Sequence, residues 1–162
     1  MDRNLAAELA VAAGAFATIA TSGKEVHVWS VVGSAETDEL PPGASAHFTA
    51  TMSPAVVARD LYEADEYSSA VCGAAVGPSG GVTADLTVVP DTGPPRSARS
   101  SSLCVPVDLS PCVERECIIG FTVSVSRPEG PTGAIEGTAM VRGEYAGRDA
   151  PPDATITVVV DG

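Results

Sequence analysis

The sequence predicts an all-β protein, a single antiparallel β-sandwich of immunoglobulin-like or jelly-roll-like type that spans residues 1–162. Apolar and polar residues alternate with a period of two in segment after segment, which is the pattern of strands that bury one face. Clusters of Gly and Pro separate these segments at fairly even spacing and end each hydrogen-bonded ladder. Short strands punctuated in this way are typical of sandwiches and barrels. The length suits one domain with its own core.

The predicted strands begin with a segment at about 14–20, inside an apolar N-terminal segment that covers residues 1–20. The next strand, 25–33, carries apolar residues on both faces, as expected of a central strand that is covered on both sides. The other predicted strands alternate and bury one face; they are 46–52, 82–88, 117–126, 134–145 and 154–160. Their apolar sides predict a core that contains Phe48, Leu86, Ile119, Phe121, Val123, Ile156 and Val158.

One segment interrupts the alternation and predicts a short helix near 54–64. Ser53 is a good N-cap residue and Pro54 suits the first helical position. Val57 and Leu61 then share one face of the helix. We therefore expect a sandwich with a single helical connection.

The acidic composition argues against nucleic-acid and membrane partners. The formal net charge is −12, from 21 Asp and Glu residues against 9 Lys and Arg residues. A surface that neutralises phosphates must be basic, so nucleic-acid binding is not expected, and anionic membranes are disfavoured for the same reason. No stretch reaches the roughly 20 apolar residues that a membrane-spanning helix needs, so membrane insertion is not expected either.

The four cysteines form an even set of disulfide candidates, Cys72, Cys104, Cys112 and Cys117. A structural zinc site needs two closely spaced cysteine pairs or nearby histidines, and both histidines lie far upstream of the last three cysteines. We therefore expect two disulfides, with all three pairings open and free buried thiols as the alternative. Disulfides indicate an oxidising location, which is extracellular, at the cell surface or in a virion.

The two histidines do not predict a catalytic site. His47 alternates to the outer face of its strand, which is typical of an exposed polar residue. His27 shares a face with Trp29 and Glu25, where packing on the sheet surface is the favoured interpretation. No Gly-x-Ser-x-Gly elbow and no phosphate-binding loop occurs.

Acidic residues cluster beside turns and predict solvated faces rather than a paired-carboxylate or metal site. The clusters are Glu36 with Asp38 and Glu39, Glu63 with Asp65 and Glu66, and Glu114 with Glu116. Loop Ca²⁺ held by Asp85, Asp91 or Asp149 with Asp153 has no support from an EF-hand spacing. No cofactor and no metal site is predicted.

The all-β pattern without a chemical constellation predicts a non-enzymatic structural or interaction protein. We expect a subunit of a cell-surface filament or virion-type assembly, which contacts copies of itself or other assembly subunits through β-strands. The apolar N-terminal segment supports this prediction because it must be buried. A neighbouring subunit's open sheet is one location, with Leu9, Val11, Phe16 and Ile19 as the assembly candidates. The alternative location is the first strand of the chain's own sandwich.

The alternative function is an extracellular ligand- or carbohydrate-binding sandwich. Sugar-binding grooves use aromatic side chains that stack and also form hydrogen bonds. Aromatic residues make up only 4% of the chain, and Trp29, Tyr62, Tyr67 and Tyr145 are the candidates for such contacts. This scarcity favours the structural role.

Overall fold

The computed structural model describes residues 15–21, 24–53, 66–108, 116–146 and 155–161, with side chains from residue 30 onward in these ranges except at 53, 66, 145 and 146. The predicted all-β class is confirmed, since the described residues form strands and turns and no helix. The strands are β1 (Ala15–Thr21), β2 (Lys24–Glu36), β3 (Ser45–Ser53), β4 (Glu66–Gly77), β5 (Gly80–Gly81), β6 (Ala84–Pro90), β7 (Arg96–Ser100), β8 (Ser102–Pro106), β9 (Cys117–Ser126), β10 (Ala134–Ala146) and β11 (Thr155–Asp161).

Two antiparallel sheets face each other in a sandwich-like arrangement. The first sheet has the strand order β1-β2-β10-β4-β5, and β8 also pairs with β4. The second sheet has the order β11-β3-β9-β6-β7. Across the interface β11 lies over β2, β3 over β10 and β6 over β4. The strands β1 and β11 therefore lie on the same side of the sandwich.

The core fills the space between the sheets and confirms most of the predicted core residues. Six of the seven are buried, namely Phe48, Leu86, Phe121, Val123, Ile156 and Val158. Ile119 is only half-buried and packs against the core from its rim. Phe48 and Phe121 are register partners on β3 and β9, and their rings stack with centroids 5.5 Å apart. Alternation alone identified the inward face because a strand side chain points to one sheet face or the other.

Glycines on the inner face of the first sheet make room for the large side chains of the second. A Cβ atom at Gly137 of β10 would lie 2.5 Å from two ring atoms of Phe48. Similar close approaches occur at Gly33, against Ile156, and at Gly73, against Val123. The absent side chains let the two sheets approach each other closely around the stacked phenylalanines.

Two sequence predictions, the short helix near 54–64 and the location of the N-terminal segment, are compared with the structure as follows. The short helix near 54–64 is not supported, because residues 54–65 lie outside the described part and the described ranges contain no helix. Of the two locations for the N-terminal segment, residues Ala15–Thr21 take the second, since β1 pairs antiparallel with β2 of the same chain. Phe16 and Ile19 lie on β1, whereas Leu9 and Val11 lie outside the described residues. No helix in the described ranges is long and apolar enough to cross a membrane.

Candidate functional site

A histidine held between two carboxylates occupies the outer face of the second sheet. His47 lies on β3 directly opposite Asp161, its register partner on the edge strand β11. Its Nδ1 atom is 2.8 Å from Oδ2 of Asp161, and its Nε2 atom is 3.0 Å from Oδ1 of Asp91. Thr49, two residues further along β3, donates a hydrogen bond to the other oxygen of Asp161 at 3.3 Å. We call His47, Asp91 and Asp161 the histidine clamp.

Asp91 reaches His47 from the far side of β9. It follows β6, and its N–H donates to the carbonyl oxygen of Gly120 on β9 at 2.8 Å. The strand β9 separates β6 from β3 in the sheet, so the Asp91 side chain crosses β9 above Gly120. A Cβ atom at Gly120 would lie 2.7 Å from Cγ of Asp91 and closer still to Oδ2. The contact therefore requires glycine at this position.

The clamp favours the protonated imidazolium. Partial burial lowers the pKa of His47, but the hydrogen bonds to Asp91 and Asp161 and the negative charges of both carboxylates outweigh burial and raise the pKa above the ordinary histidine value. The imidazolium donates from both ring nitrogens, so each carboxylate accepts one hydrogen bond. Because both nitrogens are engaged, His47 presents neither of them to a metal ion or to a nucleophile's proton. The arrangement ties β3, β11 and the turn after β6 together.

A groove of about 600 Å³ adjoins the clamp and shares Asp91 with it. It runs along the first residues of β9, beside the turn that follows β6. The remaining described lining residues are Thr49, Thr92, Val107, Asp108, Cys117, Ile118, Ile119 and Gly120. Ile118 is 64% exposed, which is unusual for an isoleucine on a strand of a sandwich. The groove is thus a mixed surface with isoleucine and valine side chains and two carboxylates.

The cysteines include one disulfide that joins neighbouring strands. Cys72 of β4 and Cys104 of β8 are register partners and form a disulfide across 32 residues of sequence. Cys117 is also disulfide-bonded. Cys112 itself lies outside the described part of the chain. No cysteine among the described residues is a free thiol.

The acidic clusters lie only partly among the described residues. Glu36, Asp38, Glu39 and Glu116 are exposed, and Glu63, Asp65, Glu114, Asp149 and Asp153 lie outside the described residues, as does the side chain of Glu66. Asp85 faces Arg99 at 3.1 Å, and Arg99 also contacts Glu129 at 2.8 Å. Within the described ranges, no three His, Cys, Asp or Glu side chains form a group that could hold a metal ion.

Of the four aromatic candidates for sugar stacking, only Tyr67 has a described side chain. Tyr67 is 41% exposed and lines a cavity of about 110 Å³ with Ser68, Arg142 and Glu144. The structure does not describe the side chains of His27, Trp29 and Tyr145. Tyr62 lies outside the described residues.

Sequence reasoning missed the histidine clamp, although it placed His47 correctly on the outer face. The alternation also points Asp161 outward from β11, since Ile156, Val158 and Val160 alternate inward. The sequence pattern does not show that β11 pairs with β3 in this register. It also does not show that the Asp91 side chain crosses β9 over Gly120. A glycine in an otherwise well-formed strand is the one available signal, because it often marks a close approach.

Comparisons with known proteins find distant structural similarities alone. No protein-family model matches the chain, and no curated protein matches it. The chain is similar to the enzymatically active domain of tailspike protein 4 from bacteriophage CBA120, at 8% identity and a TM-score of 0.37, over 98% of this chain and 19% of that one.

Two further solved structures are similar at still lower TM-scores. One is the cupin domain of Cnp3 from Schizosaccharomyces pombe, at 8% identity and a TM-score of 0.22, over 79% of this chain and 59% of that one. The other is infectious bursal disease virus, Gx strain, at 11% identity and a TM-score of 0.25, over 94% and 42%. The chain spans about a fifth of the tailspike chain. These TM-scores are too low to carry an argument about function.

Proposed function

We propose that the chain is a non-enzymatic structural or interaction domain of an extracellular or virion-type assembly, and that it contacts neighbouring subunits along strand edges. The observation that carries the proposal is an edge on one side of the sandwich whose two strands contain a single charged residue, Asp161. It consists of β1 in the first sheet and β11 in the second, and we call it the β1/β11 edge.

Within the described residues, the two strands of the β1/β11 edge carry little of the usual protection against pairing. An edge strand exposes a row of backbone donors and acceptors, and monomeric proteins protect it with charged residues, proline or bulges. The sequence of β1 contains no charged residue and no proline. In β11 the single charged residue is Asp161, and that carboxylate is already engaged by His47. The opposite edge differs, because β7 carries Arg96 and Arg99.

The disulfide supports the proposed location. Cys72 and Cys104 are paired, and Cys117 is disulfide-bonded as well. Disulfides persist in extracellular and virion settings and are rare in a reducing cytosol.

The engaged state of His47 supports a non-enzymatic role. A general base needs a nitrogen that accepts a proton from a substrate or a nucleophile. Both nitrogens of His47 instead face carboxylates, at 2.8 Å and 3.0 Å. The histidine therefore serves as a link between strands.

The test compares two valine substitutions on the same outer face. Val159 lies half-buried on the edge strand β11, and Val89 lies half-buried on the interior strand β6. Both become lysine, so the change in size and charge is matched. The oligomeric state of the unmodified chain and both variants is measured without reductant by light scattering coupled to size exclusion. Two salt concentrations are used, because screening weakens the repulsion between chains of net charge −12.

We expect the unmodified chain to form oligomers, Val159→Lys to reduce them to monomers, and Val89→Lys to leave them intact. A chain that stays monomeric at both salt concentrations overturns the proposal. Equal loss of assembly in both variants overturns the assignment of the contact to the β1/β11 edge. Negative-stain electron microscopy of the oligomers then separates closed rings from filaments.

A further inference from the structure

The disulfide between Cys72 and Cys104 lies at the margin of the first sheet. Cys104 belongs to β8, which pairs with β4 alone among the described strands. The neighbouring register pair, Val71 and Val105, is buried in the core. Because successive side chains of a strand point to opposite faces, the disulfide lies on the outer face of the sheet.

The two cysteines of this bond differ in exposure. Cys104 is exposed, as are Ser102 and Pro106, the other outward-facing residues of β8. Cys72, on the neighbouring strand β4, is only 7% exposed. In thiol–disulfide exchange a thiolate attacks one sulfur and expels the other, and access helps to decide which sulfur is attacked. The exposure therefore directs an incoming thiolate to Cys104 and makes the Cys72 sulfur the leaving group.

A positive charge lies on the side of β8 that faces away from β4. The N–H of Val107, directly after β8, donates to the carbonyl of Ser69 on β4 at 3.1 Å. Backbone polar groups of successive residues in an antiparallel strand face opposite sides, so those of Cys104 face away from β4. The Arg96 guanidinium donates to the Cys104 carbonyl at 3.2 Å. In a chain of net charge −12, this guanidinium attracts an anionic thiolate locally toward Cys104.

We propose that Cys104 is a site of thiol–disulfide exchange for small anionic thiols. The sulfur of an incoming thiolate bonds to the Cys104 sulfur, the bond between Cys72 and Cys104 breaks, and its electron pair leaves with Cys72 as a thiolate. A second thiolate attacks the sulfur of the attached small thiol, which releases Cys104 and forms the disulfide of the small thiol. Two electrons thus pass from two small thiols to the protein, and the protein thiolates take up the two protons that the small thiols lost.

The first experiment asks which disulfide of the folded chain opens first. The full chain is treated with mercaptoethanesulfonate, a small anionic thiol, without denaturant. Samples are quenched with acid, freed of the thiol, alkylated and mapped by mass spectrometry. We expect Cys72 and Cys104 to become alkylated at least about tenfold faster than Cys117. Equal or faster opening at Cys117 overturns the proposal. A rate that does not depend on the thiol concentration also overturns it, because the chain would then have to unfold before the bond reacts.

The second experiment locates the attacked sulfur. Cys72→Ser leaves Cys104 as a free thiol, and Cys104→Ser leaves Cys72. Each variant is mixed with the symmetric disulfide of mercaptoethanesulfonate, and the adduct is followed by mass. We expect Cys104 to react at least about tenfold faster than Cys72, and equal rates in folded variants overturn the assignment.

The unmodified chain supplies an independent measurement, since loss of the disulfide lowers the stability of both serine variants. The first adduct trapped by acid during reduction should be on Cys104. An adduct found on Cys72, or equally on both cysteines, overturns the direction of attack.

The third experiment tests the charge of Arg96. Arg96→Gln should slow opening by mercaptoethanesulfonate by about threefold, and should not slow opening by cysteamine, a cationic thiol of similar size. Rates are compared at equal thiolate concentrations. Arg127→Gln is the matched control, because Arg127 is 86% exposed and the substitution changes the net charge equally. It should change either rate by less than about twofold. Equal slowing of both thiols, or equal effects of the two substitutions, overturns the selection of anionic thiols.

Amide hydrogen exchange of the reduced chain measures what the exchange does to β8. With the bond open, β8 is held by its ladder with β4 and by the buried side chain of Val105. The N–H groups of Leu103 and Val105 face β4, and their protection should fall by about tenfold or more. Protection of Val123, on the interior strand β9, should change less. Equal changes at both strands would show general loosening of the fold and overturn a local effect of the bond on β8.

Discussion

Asp91 contacts His47 across an intervening strand, over a glycine. The two residues belong to β3 and to the turn after β6, and β9 lies between them. The Asp91 carboxylate lies above Gly120 and contacts Nε2 of His47 at 3.0 Å, while Asp161 contacts Nδ1 from the other side. One charged ring thereby connects the end of the edge strand β11 to a turn two strands beyond β3. The connection also holds Asp91 on the lining of the groove.

The first prediction concerns Gly120. In Gly120→Ala the new Cβ atom would lie 2.7 Å from Cγ of Asp91, so the Asp91 side chain must move away from His47. The strand itself tolerates alanine, and we expect a loss of no more than about 1 kcal/mol of unfolding free energy together with a lower pKa of His47. NMR titration of the imidazole resonances measures that pKa. Gly130→Ala is the control, since a Cβ atom there would meet nothing within 4 Å. An unchanged His47 pKa in Gly120→Ala would contradict the crossing.

The second prediction concerns pH. The folded-state pKa of His47 is raised above its unfolded value, so its contribution to stability is fully present below the unfolded pKa of about 6.5 and disappears as pH rises through the folded pKa. The stability difference between the unmodified chain and His47→Gln should therefore be larger at low pH than at high pH. The side chain is 34% exposed, so solvent screening limits the difference to about 1 kcal/mol or less.

Urea unfolding of both chains between about pH 5.5 and 9 measures this difference. Removing both carboxylates, in Asp91→Asn with Asp161→Asn, should abolish the pH dependence that His47 contributes. A stability difference that grows with rising pH would show that the clamp does not favour the imidazolium.

The third prediction concerns the stacked phenylalanines. Phe121 is fully buried and stacks on Phe48, which in turn fills the space above Gly137. Phe121→Ala should cost about 3–5 kcal/mol of unfolding free energy, because it removes a large apolar side chain and leaves a cavity. Ile118→Ala on the same strand is the matched control, since Ile118 is 64% exposed, and it should stay within about 0.5 kcal/mol. A larger loss in Ile118→Ala than in Phe121→Ala would show that the inward and outward faces of β9 are interchanged.

The alternation of apolar and polar residues is local information, and it was sufficient for the fold class, most strand positions and the inward face. It identified Phe48 and Phe121 as core residues, because in a strand each residue's face follows from its neighbours. Pairing is non-local, so the same pattern did not show that Phe48 and Phe121 are register partners, or that His47 faces Asp161. The N-terminal segment illustrates the same limit. Its apolar character predicted burial, and only the pairing with β2 distinguished its own sheet from that of a neighbour for residues Ala15–Thr21.

The groove was also beyond the sequence pattern. Ile118 lies on the outward face of β9, where the alternation predicts a polar residue. The pattern by itself gives no reason for an isoleucine there. The groove beside Ile118 depends on where a different strand, β6, ends. That strand ends at Pro90, before the turn at Asp91.

The last prediction concerns the disulfide between β4 and β8. Cys72 and Cys104 are 32 residues apart, and β8 pairs only with β4 among the described strands, so the bond anchors a short strand to the first sheet. In the chain-entropy model, closing a loop of this length in the unfolded chain stabilises the fold by about 3–4 kcal/mol. The double variant Cys72→Ala with Cys104→Ala should lose about that amount in urea unfolding without reductant. Adding reductant to the double variant should lower its stability further, because Cys117 is disulfide-bonded as well. Intact-mass measurement after alkylation counts the thiols, and four alkylated cysteines in the unreduced chain would contradict both bonds.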